Sequence, residues 1–222
     1  MLYLHPSMLA ALTGFLFGFL LSVPVGPVNV TIINEGARRG LLWGLMIGFG
    51  AVAMELIYCA LAFTGFASLF TGKVMKAIME LTSFVFMLYL GVRFMNARAV
   101  ETPTVVEERI EGKLHPRSAF ATGFVRVMAN PGVFLGWVVL AANFISHEWV
   151  QPTWEGKFSC VAGVAVGTSV WFCGLSYVVS RGQGKFTEKT LLRMERISGV
   201  ILLLTAMAQG AHIVWQLVHH TL

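Results

Sequence analysis

Apolar residues in this chain come in runs too long for the core of a globular domain. Met8–Ile33, Phe158–Ser180 and Ile197–Val218 contain no Asp, Glu, Lys or Arg. Leu41–Phe70 is interrupted by Glu55 alone and Ser118–Ser146 by Arg126 alone. Ala77–Met95 is the weakest run, with Glu80 near its start and Arg93 near its end. The hydrocarbon core of a bilayer, about 30 Å thick, takes about 20 apolar residues wound as a helix. The pattern therefore predicts an all-α integral membrane protein of six transmembrane helices, with no room for a separate soluble domain.

Composition sharpens this picture. Of 222 residues 56% are hydrophobic and 12% charged, where soluble domains carry about 25% charged residues. The net charge of +5 does not point to nucleic acid, because the basic residues are sorted by connection. The first, third and fifth connections hold Arg38 and Arg39; Arg93, Arg98, Arg109, Lys113 and Arg117; then Arg181, Lys185, Lys189, Arg193 and Arg196. The second and fourth hold only Lys73, Lys76 and Lys157, and the two ends hold none. The positive-inside rule then puts the odd connections in the cytoplasm and both termini outside a cytoplasmic membrane. Two ends on one side require an even number of helices, so orientation and helix count agree. Trp149, Trp154 and Trp215 fall near the predicted outer ends, as interfacial anchors do. The first run is too long for a signal-peptide core and follows no Lys or Arg, so no cleavable leader is expected. Cys59, Cys160 and Cys173 lie in apolar runs without a pairing pattern, which predicts free thiols.

The polar stretch around residues 96–117 divides the chain into two sets of three helices, 1–95 and 118–222, with a cytoplasmic loop between them. The halves echo each other. Gly44-x-x-x-Gly48 is followed ten residues later by Tyr58, and Gly163-x-x-x-Gly167 ten residues later by Tyr177. The first helix is interrupted at Pro24 and Pro27, the fourth at Pro131. A repeat of three helices is inverted in the membrane, and inverted repeats with broken helices in matching places mark secondary transporters that bind substrate near the midplane. Pro24 and Pro27 remove backbone donors and Gly26 between them loosens the backbone, so Val23–Val28 should be unwound. Unwound backbone survives at that depth only where it is buried in protein or lines a watery cavity. A half-helix starting near Asn29 would turn its free N–H groups and positive dipole end toward that cavity, a seat for a carboxylate. Asn130-Pro131-Gly132 predicts a second such element, and Asn29 and Asn130 either bind substrate or satisfy the freed backbone.

At these residues the chain resembles the LysE (lysine exporter) family. Pro24-Val-Gly-Pro-Val-Asn29 with Gly40, Gly44 and Gly48 is similar to the family's first-helix signature, Asn130-Pro131 to its fourth-helix Asn-Pro element, and Ser198-Gly199 with the apolar run that follows to its last helix. The contiguous Pro-Gly-Pro-Asn of many members is absent, and Gly132 stands where many have lysine. The resemblance covers nearly the whole chain. It implies export of amino acids or similar small solutes, driven by proton antiport with alternating access, and it admits a homodimer.

Intramembrane charge is costly and usually faces an interior with a partner. Glu55, the deepest acid, reads as a proton carrier or as the counter-charge of a substrate ammonium; a structural pair with Arg126 is the alternative. Arg126 could hold a substrate carboxylate through its bidentate fork, or snorkel to the headgroups. Glu35, beside Arg38 and Arg39, reads as a helix-end charge or as a second proton-coupling group at a cytoplasmic gate. The candidate substrate site is thus Pro24, Gly26, Pro27, Asn29, Arg126, Asn130 and Pro131, with Glu55 and Glu35 for proton coupling, and no metal or cofactor. A divalent metal-cation exporter would need clustered Asp, Glu, His or thiolate ligands, and the only deep acid is Glu55. A non-transporting assembly factor would explain the apolar helices but not the paired breaks. No nucleophile elbow, H-E-x-x-H or Ser/His dyad marks an enzyme.

Overall fold

Prolines decide where several helices begin. At the first helical position the missing N–H would have had no partner, and the fixed φ suits the helix. Pro6, Pro27 and Pro131 each open a helix in this way: α1 (Pro6–Ser22), α2 (Pro27–Arg39) and α6 (Pro131–Ser146). The remaining elements are α3 (Leu41–Phe66), α4 (Lys73–Met95), α5 (Ala119–Met128), α7 (Trp154–Arg181) and α8 (Glu188–Val218). The computed structural model describes residues 5–24, 26–66, 73–96, 118–181 and 188–218, and the protein is all-α among them. Most of the expected central loop, 97–117, lies outside the described residues, as does the side chain of Pro131.

Among the described residues two helices are each long and apolar enough to cross a bilayer, Leu41–Thr64 and Trp154–Arg181. Two further spans arise if each bent pair is one crossing: α1 with α2, bent by 71°, and α5 with α6, bent by 66°. α8 adds a shorter apolar stretch, Gly199–Trp215, and packs along α4. Leu16, Leu42, Leu61, Leu135, Phe158 and Leu204 stand on exposed faces, where lipid tails would meet them.

Helices in lipid gain little from hiding apolar surface against each other, so close approach at small residues holds them together. α1 crosses α7 in this manner. Gly14 and Gly18 lie against the backbone of Cys160 and Val164, while Gly163 and Gly167 lie against that of Ala11 and Phe15. α3 crosses α5 with the same reciprocity, Gly50 against Phe120 and Phe124 and Gly123 against Ile47 and Ala51. Gly44 and Gly48, matched with Gly163 and Gly167 on sequence spacing, make contacts of another kind, seating the side chains of Ser176 and Phe172 on α7. Spacing to a tyrosine did not carry the register because two different faces of α3 are glycine-bearing. The chain turns from α2 into α3 at Gly40, whose φ of 90° is the left-handed geometry that glycine adopts without strain.

Two apolar clusters flank the middle of the molecule. One gathers Phe17, Phe63, Trp137 and Phe144; the other gathers Ile32, Ile47, Trp171 and Phe172. Leu56, Tyr58 and Val133 pack against both, so the two breaks come together where the clusters join. Cys59 and Cys160 are buried and free.

Candidate functional site

The first break is shorter than its prolines suggest. α1 ends at Ser22, Val23 keeps helical angles, and α2 starts at Pro27, so Val23, Pro27 and Val28, all expected to be unwound, have helical backbone, and of the described residues only Pro24 and Gly26 lie in the break. Pro27 ends the break instead of extending it, because its ring pre-sets the first helical residue. Gly26 is not in a conformation reserved for glycine: its φ of −97° and ψ of −175° are extended backbone, and a Cβ there would meet nothing within 4 Å. Its smallness leaves room instead.

Breaking a helix strands carbonyls that need donors. Asn29 supplies them. Its amide nitrogen donates to Ser22 O at 2.9 Å and to Pro24 O at 2.7 Å, and its oxygen accepts from Trp171 Nε1 at 3.1 Å. Asn29 is buried and all three of its polar positions are taken up in bracing the break. At the second break, Met128 O accepts from the Tyr58 hydroxyl at 2.9 Å, and Asn130 caps α6 by accepting from Gly132 N at 3.0 Å. Each break is thus tied by an aromatic residue of a neighbouring long helix, Trp171 of α7 or Tyr58 of α3. Arg126 Nη1 donates to Pro27 O at 3.0 Å, linking α5 to the start of α2.

Glu55 sits in the middle of α3 and is buried, with the Thr168 hydroxyl of α7 donating to it at 3.4 Å. Two cavities meet at this carboxyl. The larger, about 390 Å³, is lined by Pro24, Gly26 and Pro27 of the first break, by Asn130 and Gly132 of the second, and by Glu55, Tyr89, Arg93 and Trp137. The smaller, about 100 Å³, shares Pro24, Gly26, Pro27, Glu55 and Asn130 and adds Asn29 and Arg126. A third cavity of about 390 Å³ lies beyond Arg126, lined by Thr31, Glu35, Arg39, Trp43, Ser118 and Thr122. There Glu35 pairs with Arg39 at 2.8 Å and with Arg38 at 3.9 Å, and the Arg39 guanidinium lies over the Trp43 ring at 4.4 Å.

Of the expected site residues, Pro24, Gly26, Pro27, Asn29, Glu55, Arg126 and Asn130 come together around the two central cavities. Glu35 does not; it belongs to the outlying cavity, which Arg126 joins to the centre. Pro131 enters as the first residue of α6. Arg93, Tyr89, Trp137, Thr168 and Trp171 were not singled out by the sequence. Arg93 stands at the end of a hydrophobic run and reads there as a topology charge, and the others are ordinary members of apolar helices. Among the described residues no three His, Cys, Asp or Glu side chains come close enough to hold a metal ion.

The arrangement can hold a solute carrying both charges. It offers one buried carboxyl, two guanidinium groups on its borders, and broken backbone that lets small polar groups approach. The chain is also similar to known proteins. The family described as LysE type translocator matches residues 19–209. "Putative amino acid efflux protein YcgF" of Bacillus subtilis (strain 168) is 26% identical over 192 residues, 86% of this chain and 90% of that protein. The arginine exporter protein ArgO of Shigella flexneri is 25% identical, covering 75% of this chain and 76% of its own length. The chemotactic transduction protein ChpE of Pseudomonas aeruginosa is 24% identical, covering 73% and 78%. No solved structure matches the chain.

Proposed function

Because the chain belongs to the LysE type translocator family, a family of multi-pass membrane transporters and not of enzymes, we propose that it exports amino acids or similar small solutes by proton antiport. The meeting of both helix breaks at Glu55 carries this reading. A single buried carboxyl can bind either a proton or a substrate ammonium, and not both at once. That exclusivity is what an antiporter needs: a proton arriving at Glu55 displaces the cargo, and the cargo displaces the proton.

The wider architecture in this proposal is six transmembrane helices, with α1–α2 and α5–α6 each forming one broken crossing and α4 and α8 completing the two halves. Residues 1–95 and 118–222 form opposed three-helix repeats joined by the loop 96–117. The reciprocal crossings support it, since α1 on α7 and α5 on α3 use glycines in the same mutual way. Opposed repeats allow alternating access by rocking one half against the other around a fixed site. The basic residues of the odd connections support an orientation with the Glu35 cavity on the cytoplasmic face of the inner membrane and both termini outside. Substrate would then enter past Arg126 from the Glu35 side. Asn29 holds the first break in shape in this scheme, while Asn130, whose oxygen caps α6, lines both central cavities.

Liposomes containing the purified chain and loaded with labelled amino acids test this directly. An imposed pH gradient should drive efflux, and Glu55→Gln should fold and insert normally yet lose all dependence on the gradient. Gradient-driven efflux that persists unchanged in Glu55→Gln would remove Glu55 from the coupling step.

A further inference from the structure

We infer that the exported solute is a neutral α-amino acid with an apolar side chain, held with its ammonium on Glu55 and its carboxylate on Arg93, and that basic amino acids are excluded. This rests on the exporter reading above and names the cargo of that same site. Among the described residues Glu55 is the only acidic side chain lining either central cavity, whereas Arg93 lines one and Arg126 the other. A basic amino acid brings two cationic groups and one carboxylate. One cation can take Glu55, and the second would be desolvated beside guanidinium groups with no anion to meet it, which is strongly unfavourable in a low-dielectric site.

The outlying cavity makes the same selection earlier on the route. Its acid, Glu35, already faces Arg39 at 2.8 Å and Arg38 at 3.9 Å, and Arg39 and Arg126 line the same space. A zwitterion passes such a vestibule without net repulsion, and a cation does not.

Apolar residues also line the larger cavity: Leu21, Leu90, Phe94, Val133 and Trp137. An apolar side chain packs against them, whereas a second carboxylate would be desolvated among them. Arg126 does not rescue an acidic side chain there, since it lies across the break in the smaller cavity with its Nη1 on Pro27 O. At about 390 Å³ the space lies at the small end of the roughly 300–1,000 Å³ typical of ligand pockets, which suits a single amino acid better than a peptide. A guanidinium grips a carboxylate with two parallel donors, so Arg93 supplies orientation as well as charge.

The full-length chain in liposomes, under an imposed pH gradient, is offered leucine, phenylalanine, glutamate and arginine in parallel. Leucine and phenylalanine should move at least tenfold faster than arginine and glutamate. Arginine or glutamate moving as fast as leucine would overturn the inference while leaving an exporter in place. No movement of any compound would overturn the exporter reading and the inference with it. Arg93→Gln should raise the KM for leucine tenfold or more with little change in kcat, and Arg93→Lys, keeping charge without the fork, should raise it less. A KM for leucine that is unchanged in both variants, each shown to fold by its elution and circular dichroism, would take the carboxylate away from Arg93.

Discussion

At the residue scale the two breaks depend on how stranded backbone groups are satisfied. Asn29→Ala leaves Ser22 O and the Trp171 indole N–H without partners in a buried place, while Pro24 O keeps its bond from Gly26 N at 2.9 Å. Each abandoned buried group costs about 1–3 kcal/mol, so thermal unfolding in detergent should begin well below that of the native chain. Trp171→Phe abandons only the Asn29 oxygen and should fall between the two. An Asn29→Ala chain as stable as the native one would contradict this bracing role. Gly26 behaves in the opposite sense. Its extended backbone suits any residue and a Cβ would enter open space bordering both central cavities. Gly26→Ala should therefore leave unfolding unchanged and slow transport by narrowing the site, which unfolding and efflux measured on one preparation will separate. The prolines announced both breaks from the sequence, because proline acts on its own backbone and needs no partner to do so. Trp171, Tyr58 and Thr168 could not be read that way: a hydroxyl or an indole inside an apolar run acquires meaning only from the carbonyl or carboxyl that the fold brings beside it. Arg93 was hidden for a related reason, since the end of a hydrophobic run is where interfacial arginines also stand.

Between elements, the contacts that matter are backbone against backbone. The crossing of α3 and α5 puts Gly123 where a Cβ would intrude on the Ile47 carbonyl and reach Ala51 N at 3.0 Å. Neither neighbour can yield as a flexible side chain would, so the helices themselves must separate. Gly123→Val should destabilise by at least the roughly 1–3 kcal/mol of an overpacked core, and the wider gap should also spoil the Arg126 bond to Pro27 O, which depends on α5 lying close to α2. Gly174→Val is the control on another helix, because a Cβ at Gly174 meets nothing within 4 Å. Equal stability losses in the two variants would mean that helix propensity, not close approach, governs these glycines. Glycine spacing made such crossings foreseeable but not their pairing. Gly44-x-x-x-Gly48 is the conspicuous motif on α3, yet it receives Phe172 and Ser176 of α7, while the inconspicuous Gly50 receives α5. A one-dimensional motif records that a face is smooth and leaves open which neighbour uses it.

For the whole molecule the decisive quantity is the number of crossings, because only an even number with the breaks paired gives two opposed halves around one site. The charge pattern assigns a side to every connection, and single cysteines read those sides out. His5, Ala37, Thr64, Asn96, Ser118, Glu148 and Arg181 are all exposed positions at or near helix ends, whereas two of the three native cysteines are buried. Replaced one at a time by cysteine in cells, they should react with a membrane-impermeant thiol reagent according to side. His5, Thr64 and Glu148 should label from outside, and Ala37, Asn96, Ser118 and Arg181 only after the membrane is opened. A tag placed after Leu222 should be reached from outside. That alternation amounts to one crossing for α1 with α2, one each for α3 and α4, one for α5 with α6, and one each for α7 and α8. If α1 and α2 instead formed a re-entrant hairpin, His5 and Ala37 would label from the same face, and the first break would be the tip of a loop rather than the middle of a span. The same outcome would remove the inverted relation between the halves, since α5–α6 would then match nothing. Labelling of His5 and Ala37 from opposite faces is thus the measurement on which both the six-helix count and the opposed repeats depend.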